Sequence, residues 1–183
     1  NAVSTAFAGG GQCPPCKVKL SLCVRQADET EVSLIPESLI SSGHARWERV
    51  FGIGKRPTPD QEASVAQLSG LHYLLETGQV PTVDFAVWGP HGNRIERKLR
   101  LSGSVFSSDG SLRTIEIAGP PTIGIWLASW EVFTTAAILL NVFDLGTLMD
   151  YKEHIVRAHT RYGPQVWLLL YQTDTRFRSE HLL

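Results

Sequence analysis

The sequence predicts an α+β protein in which antiparallel β-hairpins with one embedded helix precede a C-terminal block of three helices. Three observations predict this class. Apolar and polar residues alternate in several segments before Gly119, which is typical of half-buried strands. The pair Asp109-Gly110 separates two such segments and favours a hairpin turn. After Gly119 the apolar residues recur every three or four positions, which indicates helices.

The first hairpin is predicted near the start of the chain. Residues 17–26 alternate apolar and charged side chains, and residues 31–35 provide the second strand. The polar residues between these segments are suited to a turn. A short helix is then predicted over Ala45–Phe51.

A capped helix is predicted between Thr58 and Gly78. Thr58 is the expected N-cap, Pro59 the first helical residue, and Gly78 lies just past the end. The alternation in residues 80–88 predicts a strand after this helix. The apolar stripe of the helix consists of Val65, Leu68, Leu71, Leu74 and Leu75.

The second half begins with a hairpin and continues as helices. Segments 94–106 and 111–119 flank the Asp109-Gly110 turn. A core helix follows, then a helix capped by Asp144, and Gly163-Pro164 separates that helix from the last one. We divide the chain into a flexible leader (1–16), a β-rich α+β region (17–119) and a helical region (120–183), with the last two packed as one domain.

The composition limits the possible classes of protein. With 183 residues, 43% of them hydrophobic, the chain can bury a substantial core. A formal net charge of -1 excludes a surface that binds polyanions over its whole area. No apolar stretch is long enough to cross a bilayer, and three cysteines, all before residue 24, favour a reducing compartment. We therefore predict a soluble, intracellular protein with no membrane partner.

The cysteines and histidines form no recognised catalytic or metal-binding motif. Cys13 and Cys16 have the spacing of a redox pair, but they lead into a strand instead of a helix N-terminus. With Cys23 they supply three potential metal ligands, and a zinc site would need a fourth, such as His44. Ordinary thiols in a leader are the simpler interpretation. We predict no catalytic residue, no metal site and no cofactor.

Two clusters of basic residues are candidate contacts for nucleic acid or for a protein partner. Arginines beside aromatic rings can hold phosphates and stack on the bases of RNA or single-stranded nucleic acid. The alternative is a solvated surface in which nearby carboxylates act as counterions. The candidates are Arg94, Arg97, Lys98 and Arg100 before and within the second hairpin, and Arg157, Arg161, Arg176 and Arg178 on the last two helices.

Three tryptophans lie on the apolar faces of the C-terminal helices. Trp126 and Trp130 are four residues apart on the predicted core helix, and Trp167 lies in the last helix. We expect them to form core, partner contacts, or both.

Four stretches together resemble one protein family: "FGIGKRPTPDQEASVAQLSGLHYLL", "VPTVDFAVWGPHGNRIERKLRLSG", "GPPTIGIWLASWEVFTTAAILLNV" and "YKEHIVRAHTRYGPQVWLLLYQTDTRFRSEHL". This is a large family of uncharacterised proteins encoded in dinoflagellate genomes by retrotransposon-like mobile elements, in a gag-like position. The resemblance implies a non-enzymatic module that associates with itself or packages nucleic acid. Family members continue into a basic segment and cysteine/histidine fingers beyond the point that matches Leu183. The chain lacks these parts, which argues against direct nucleic-acid binding.

The sequence is therefore compatible with three different functions. The first is a gag-like assembly or packaging module whose partner is itself, another protein, or RNA. The second is a structural subunit of a larger complex. The third is a hydrolase-type enzyme, which would need a polar pocket, for example at His91 beside Asp84. Burial or exposure of Trp126 and Trp130 would help to separate them.

Overall fold

The computed structural model describes residues 17–20, 23–24, 30–90, 100–106, 109–118 and 122–181, with backbone alone at 100–106 and 115–118. The α+β class with a C-terminal helical block is confirmed. The elements in chain order are β1 (Lys17–Lys19), β2 (Glu31–Ser33), α1 (Glu37–Phe51), α2 (Val65–Glu76), β3 (Arg100–Phe106), β4 (Leu112–Ala118), α3 (Ile123–Leu139), α4 (Leu145–Tyr162) and α5 (Trp167–His181).

Both predicted hairpins form as antiparallel pairs. In the first, Val18 of β1 lies opposite Val32 of β2, and in the second, Gly103 of β3 lies opposite Ile115 of β4. The first hairpin is shorter than predicted, because the backbone N–H groups of residues 23 and 24 donate to the Leu20 carbonyl and turn the chain.

Two helices, α1 and α2, precede the C-terminal block. The helix predicted over Ala45–Phe51 begins earlier, at Glu37, directly after Pro36. Gly43 lets α1 approach α3 closely, since a β-carbon there would lie 2.7 Å from the Leu139 carbonyl oxygen. The Arg46 guanidinium donates to the same oxygen at 2.6 Å and satisfies a carbonyl at the end of α3.

The predicted start of α2 is wrong. Ser64, not Thr58, is the N-cap: the Ser64 hydroxyl accepts from Gln67 N at 3.1 Å, and the Gln67 side chain accepts from Ser64 N at 3.0 Å. This reciprocal pair is a capping box. Thr58 and Pro59 instead open a separate turn, in which the Thr58 carbonyl accepts from the backbone N–H of residues 61 and 62.

The strand predicted over residues 80–88 does not form. The Asp84 carboxylate accepts from Ala86 N at 2.9 Å, and the Asp84 carbonyl accepts from Trp88 N at 2.9 Å. A short side chain that bonds its own backbone two residues on favours a turn over a ladder. The apolar side chains of Val83, Phe85 and Trp88 are nevertheless buried.

The three C-terminal helices agree with the prediction. Asp144 caps α4 by accepting from Thr147 N at 2.9 Å. Gly163, with φ of 79°, ends α4, and a single 3-10 turn over Pro164–Val166 leads into α5. The two helices run antiparallel, since residue 151 of α4 contacts residue 177 of α5 while residue 159 contacts residue 167.

One hydrophobic cluster connects the first hairpin, the turn after residue 83 and the five helices, with α3 at its centre. Nearly every α3 side chain from residue 129 to residue 139 is buried. Within the ranges described, no helix has both the length and the apolar character needed to span a membrane. Representative members of the cluster, in chain order, are Leu20, Val32, Leu71, Trp88, Phe133, Ile155 and Tyr171.

Candidate functional site

The three tryptophans considered as partner contacts belong to the core. Trp126 and Trp130 are 0% and 1% exposed, and Trp167 is 7% exposed. The rings of Trp126 and Trp130 stack at 5.2 Å, and Trp167 meets Trp126 edge-on at 6.4 Å. Because they are covered within one chain, they form no exposed patch for a partner.

A buried carboxylate lies beside these rings. Asp174 of α5 accepts from the Trp126 indole N–H at 3.0 Å and from the Tyr151 hydroxyl at 2.9 Å. It also pairs with Arg178 at 3.1 Å, one turn further along the helix. Burial, together with the Asp174 carboxylate, raises the pKa of Tyr151. Because the Asp174 carboxylate already accepts from all of these donors, we interpret the network as one that stabilises the core.

Arg178 is one of the eight basic candidates, and the structure contradicts its assignment as a surface contact. The residue is 1% exposed. Its Nη1 donates to the Val83 carbonyl at 2.9 Å, and its guanidinium carbon lies 4.0 Å from the centre of the Phe85 ring. It fastens the turn after residue 83 to α5 and cannot reach a nucleic acid.

The other helical candidates are exposed and mostly paired along their own helices. Arg157 donates to Glu153 on α4, and Arg176 donates to Glu180 on α5. The Arg161 guanidinium lies 5.5 Å from the centre of the Tyr162 ring. Two of these three cations thus have an intrahelical counterion, which is the arrangement of a solvated helix surface.

The hairpin candidates can be placed only in part. Arg94, Arg97, Lys98 and the proposed enzymatic His91 lie outside the described residues. The Arg100 backbone begins β3, opposite residue 118.

The cysteine and histidine candidates are not brought together in the described ranges. Cys23 is fully buried, and its thiol lies 3.5 Å from the Gln67 carbonyl. Burial raises the pKa of the Cys23 thiol to about 12. His44 lies 3.2 Å from a Glu62 carboxylate oxygen. Cys13 and Cys16 are outside the described residues, and within those residues no cluster of three metal-ligating side chains occurs.

An apolar groove lies between the end of α4 and the start of α5, and sequence reasoning missed it. The groove has a volume of about 300 Å³. We call it the α4–α5 groove, and its lining residues are Ala158, His159, Tyr162, Gly163, Val166, Leu169, Leu170 and Thr173.

The rim of the α4–α5 groove exposes large apolar side chains. Leu169 is 63% exposed and Tyr162 is 54% exposed. Phe177, two turns beyond Leu169 on α5, is 43% exposed, although one face of its ring stacks on Tyr151 at 5.6 Å. Exposed apolar side chains beside a concavity are typical of a docking surface.

The chemistry of the groove favours binding over catalysis. Its titratable lining residues are His159, whose ring packs edge-on against Trp167 at 5.6 Å, and Tyr162. The described lining has no carboxylate or thiol that could act with this imidazole as a nucleophile–base pair.

Comparisons with protein-family models, with curated proteins and with solved structures find no match to this chain.

Proposed function

We propose that the chain is a non-enzymatic assembly module, whose α4–α5 groove receives an apolar helix face of a neighbouring subunit. The observation that carries this proposal is the exposure of Leu169 and Tyr162 beside a groove that has no paired catalytic groups. Two antiparallel helices leave a seam between them, and a third helix can fill such a seam with apolar side chains.

The charges support a protein partner in preference to nucleic acid at this surface. Arg178 is buried, while Arg157 and Arg176 are paired with glutamates one turn away. A phosphate backbone would have to compete with those carboxylates, so the electrostatic gain would be small. Packaging of nucleic acid by the hairpin cluster, and the gag-like origin itself, stay predictions from the sequence.

A synthetic amphipathic helix tests the proposal. The probe is an 18-residue labelled peptide with leucines at spacings of three and four, titrated by fluorescence anisotropy against about 1 μM protein. We expect saturable binding, and Leu169→Glu should weaken it at least tenfold, since burial of a leucine contributes about 1.5–3 kcal/mol.

The matched control is Leu168→Glu. Leu168 is also exposed, at 39%, but it lies about 100° around the helix from Leu169 and does not line the groove. Its replacement should leave the affinity within about twofold of wild type, because it removes no groove contact. No saturable binding by the wild-type protein, or equal losses in the two variants, would refute the proposed function.

A further inference from the structure

Three exposed residues of α5 have a symmetric order of side-chain size, and two of them, Leu169 and Thr173, line the groove. Leu169, Thr173 and Phe177 are spaced by four residues, so they share one face of the helix. We call them the α5 row. Its two ends are large, apolar and exposed, and its centre is small. The same row would therefore be presented by a second, antiparallel copy of α5.

We propose that the groove is occupied by a second copy of this chain, with the two α5 helices antiparallel and the two-fold axis at Thr173. This inference rests on the proposed function, and it identifies the neighbouring subunit as a second copy of the same chain. The axis places Leu169 of each copy against Phe177 of the other. The small central side chain allows close approach of the helices, and each contact occurs twice, as in the self-complementary interfaces of closed dimers.

The charges along α5 are compatible with this register. The antiparallel arrangement places Arg176 level with Leu170 of the second copy and Glu180 level with Val166. Arg176 and Glu180 neutralise each other at 3.0 Å within one helix. No like charges face each other along the described α5 helices, so electrostatic repulsion does not oppose this pairing.

An open, head-to-tail assembly is the main alternative, and the charges oppose it. Ile53 is 97% exposed in a tight turn closed by a hydrogen bond from Lys55 N to the Gly52 carbonyl. Its side chain could enter the groove of the next copy. However, Lys55 lies two residues after Ile53, and Arg161 directly precedes Tyr162 of the groove lining, so a cation would approach a cation. The described charges thus favour the closed dimer.

Charge complementation tests the register. Leu169→Lys and Phe177→Glu are each expected to weaken the dimer at least about tenfold in sedimentation velocity. An equimolar mixture should recover association, because each mixed dimer pairs Lys with Glu at one end and keeps the native contact at the other. Circular dichroism of the separate variants verifies that each is folded.

Disulfide trapping tests the axis independently of those variants. In a Cys13→Ser, Cys16→Ser background, Thr173→Cys should form a covalent dimer under mild oxidation, because the two thiols meet at the axis. Gln172→Cys, exposed on the neighbouring position, should not do so at a comparable rate.

The outcomes separate this inference from the proposed function. If the peptide binds the groove but the chain stays monomeric up to millimolar concentration, the second copy is refuted and the groove remains a docking site. If the chain dimerises but neither complementation nor trapping occurs, the proposed register is refuted. If the peptide fails to bind and Leu169→Glu leaves association unchanged, both proposals are refuted.

Discussion

Replacement of Asp174 by asparagine should destabilise the protein strongly. Four donor groups converge on this carboxylate: the Trp126 indole, the Tyr151 hydroxyl, and two nitrogens of Arg178. Asparagine keeps the shape but turns an NH₂ group toward one of these donors, and it leaves the Arg178 cation buried without its counterion. Breaking a buried ion pair in this way costs about 3–5 kcal/mol.

The loss can be measured by urea denaturation. With a slope of roughly 2 kcal/mol per molar urea for a protein of this size, the unfolding midpoint of Asp174→Asn should fall by about 2 M. Glu153→Gln is the matched control, because it also breaks a Glu/Asp–Arg pair one helical turn apart, but on the exposed face of α4. Its cost should be below about 1 kcal/mol.

A second variant tests the physical cause. Arg178→Met should cost much less in the Asp174→Asn background than in the wild-type protein, because there it removes an unpaired buried cation. Equal midpoint shifts for Asp174→Asn and Glu153→Gln, or strict additivity of the Asp174 and Arg178 changes, would refute the reasoning.

Three further predictions concern single residues. Gly43→Ala should destabilise the protein, because its β-carbon would crowd the carbonyl at the end of α3, whereas Gly124→Ala should be neutral or stabilising by up to about 1 kcal/mol in thermal unfolding. Ser64→Ala should cost about 1 kcal/mol and Thr58→Ala less than half of that in urea titrations; the reverse order would contradict the observed cap. Burial raises the pKa of the Cys23 thiol from 9.0 to about 12, so the folded state favours the neutral thiol. The stability that depends on this neutral thiol is complete below pH 9 and is lost as the pH rises from 9 to 12. A Cys23→Ala variant should therefore show a shallower alkaline decline of the urea midpoint.

The sequence predicted correctly those elements in which the local sequence pattern and the packing of the folded chain favour the same structure. The apolar spacing of α3, the Asp144 cap of α4 and the Gly163-Pro164 break all correspond to observed features. Two local signals misled. Thr58-Pro59 resembles a helix start, but the reciprocal hydrogen bonds of Ser64 and Gln67 place the start of α2 after Ser64. The alternation of apolar and polar residues around Asp84 reflects a buried turn, not a strand.

The candidate site could not be found by the same reasoning. An apolar spacing indicates which side chains share a helix face, but it does not tell whether another element covers that face. The run from Trp167 to Tyr171 reads as uniformly apolar, yet its first and last residues are buried while Leu169 is exposed. That difference depends on which side of α5 faces α3, and this is set by packing between distant segments.

The contact between Arg178 and the Val83 carbonyl has a consequence for biosynthesis. It joins residues 95 positions apart, so a large loop must close before the contact can form. During synthesis on a ribosome, the buried turn after residue 83 lacks its C-terminal anchor until α5 has emerged. The N-terminal half therefore cannot complete its core before α5 has emerged, and we expect it to expose apolar surface to chaperones until that helix docks.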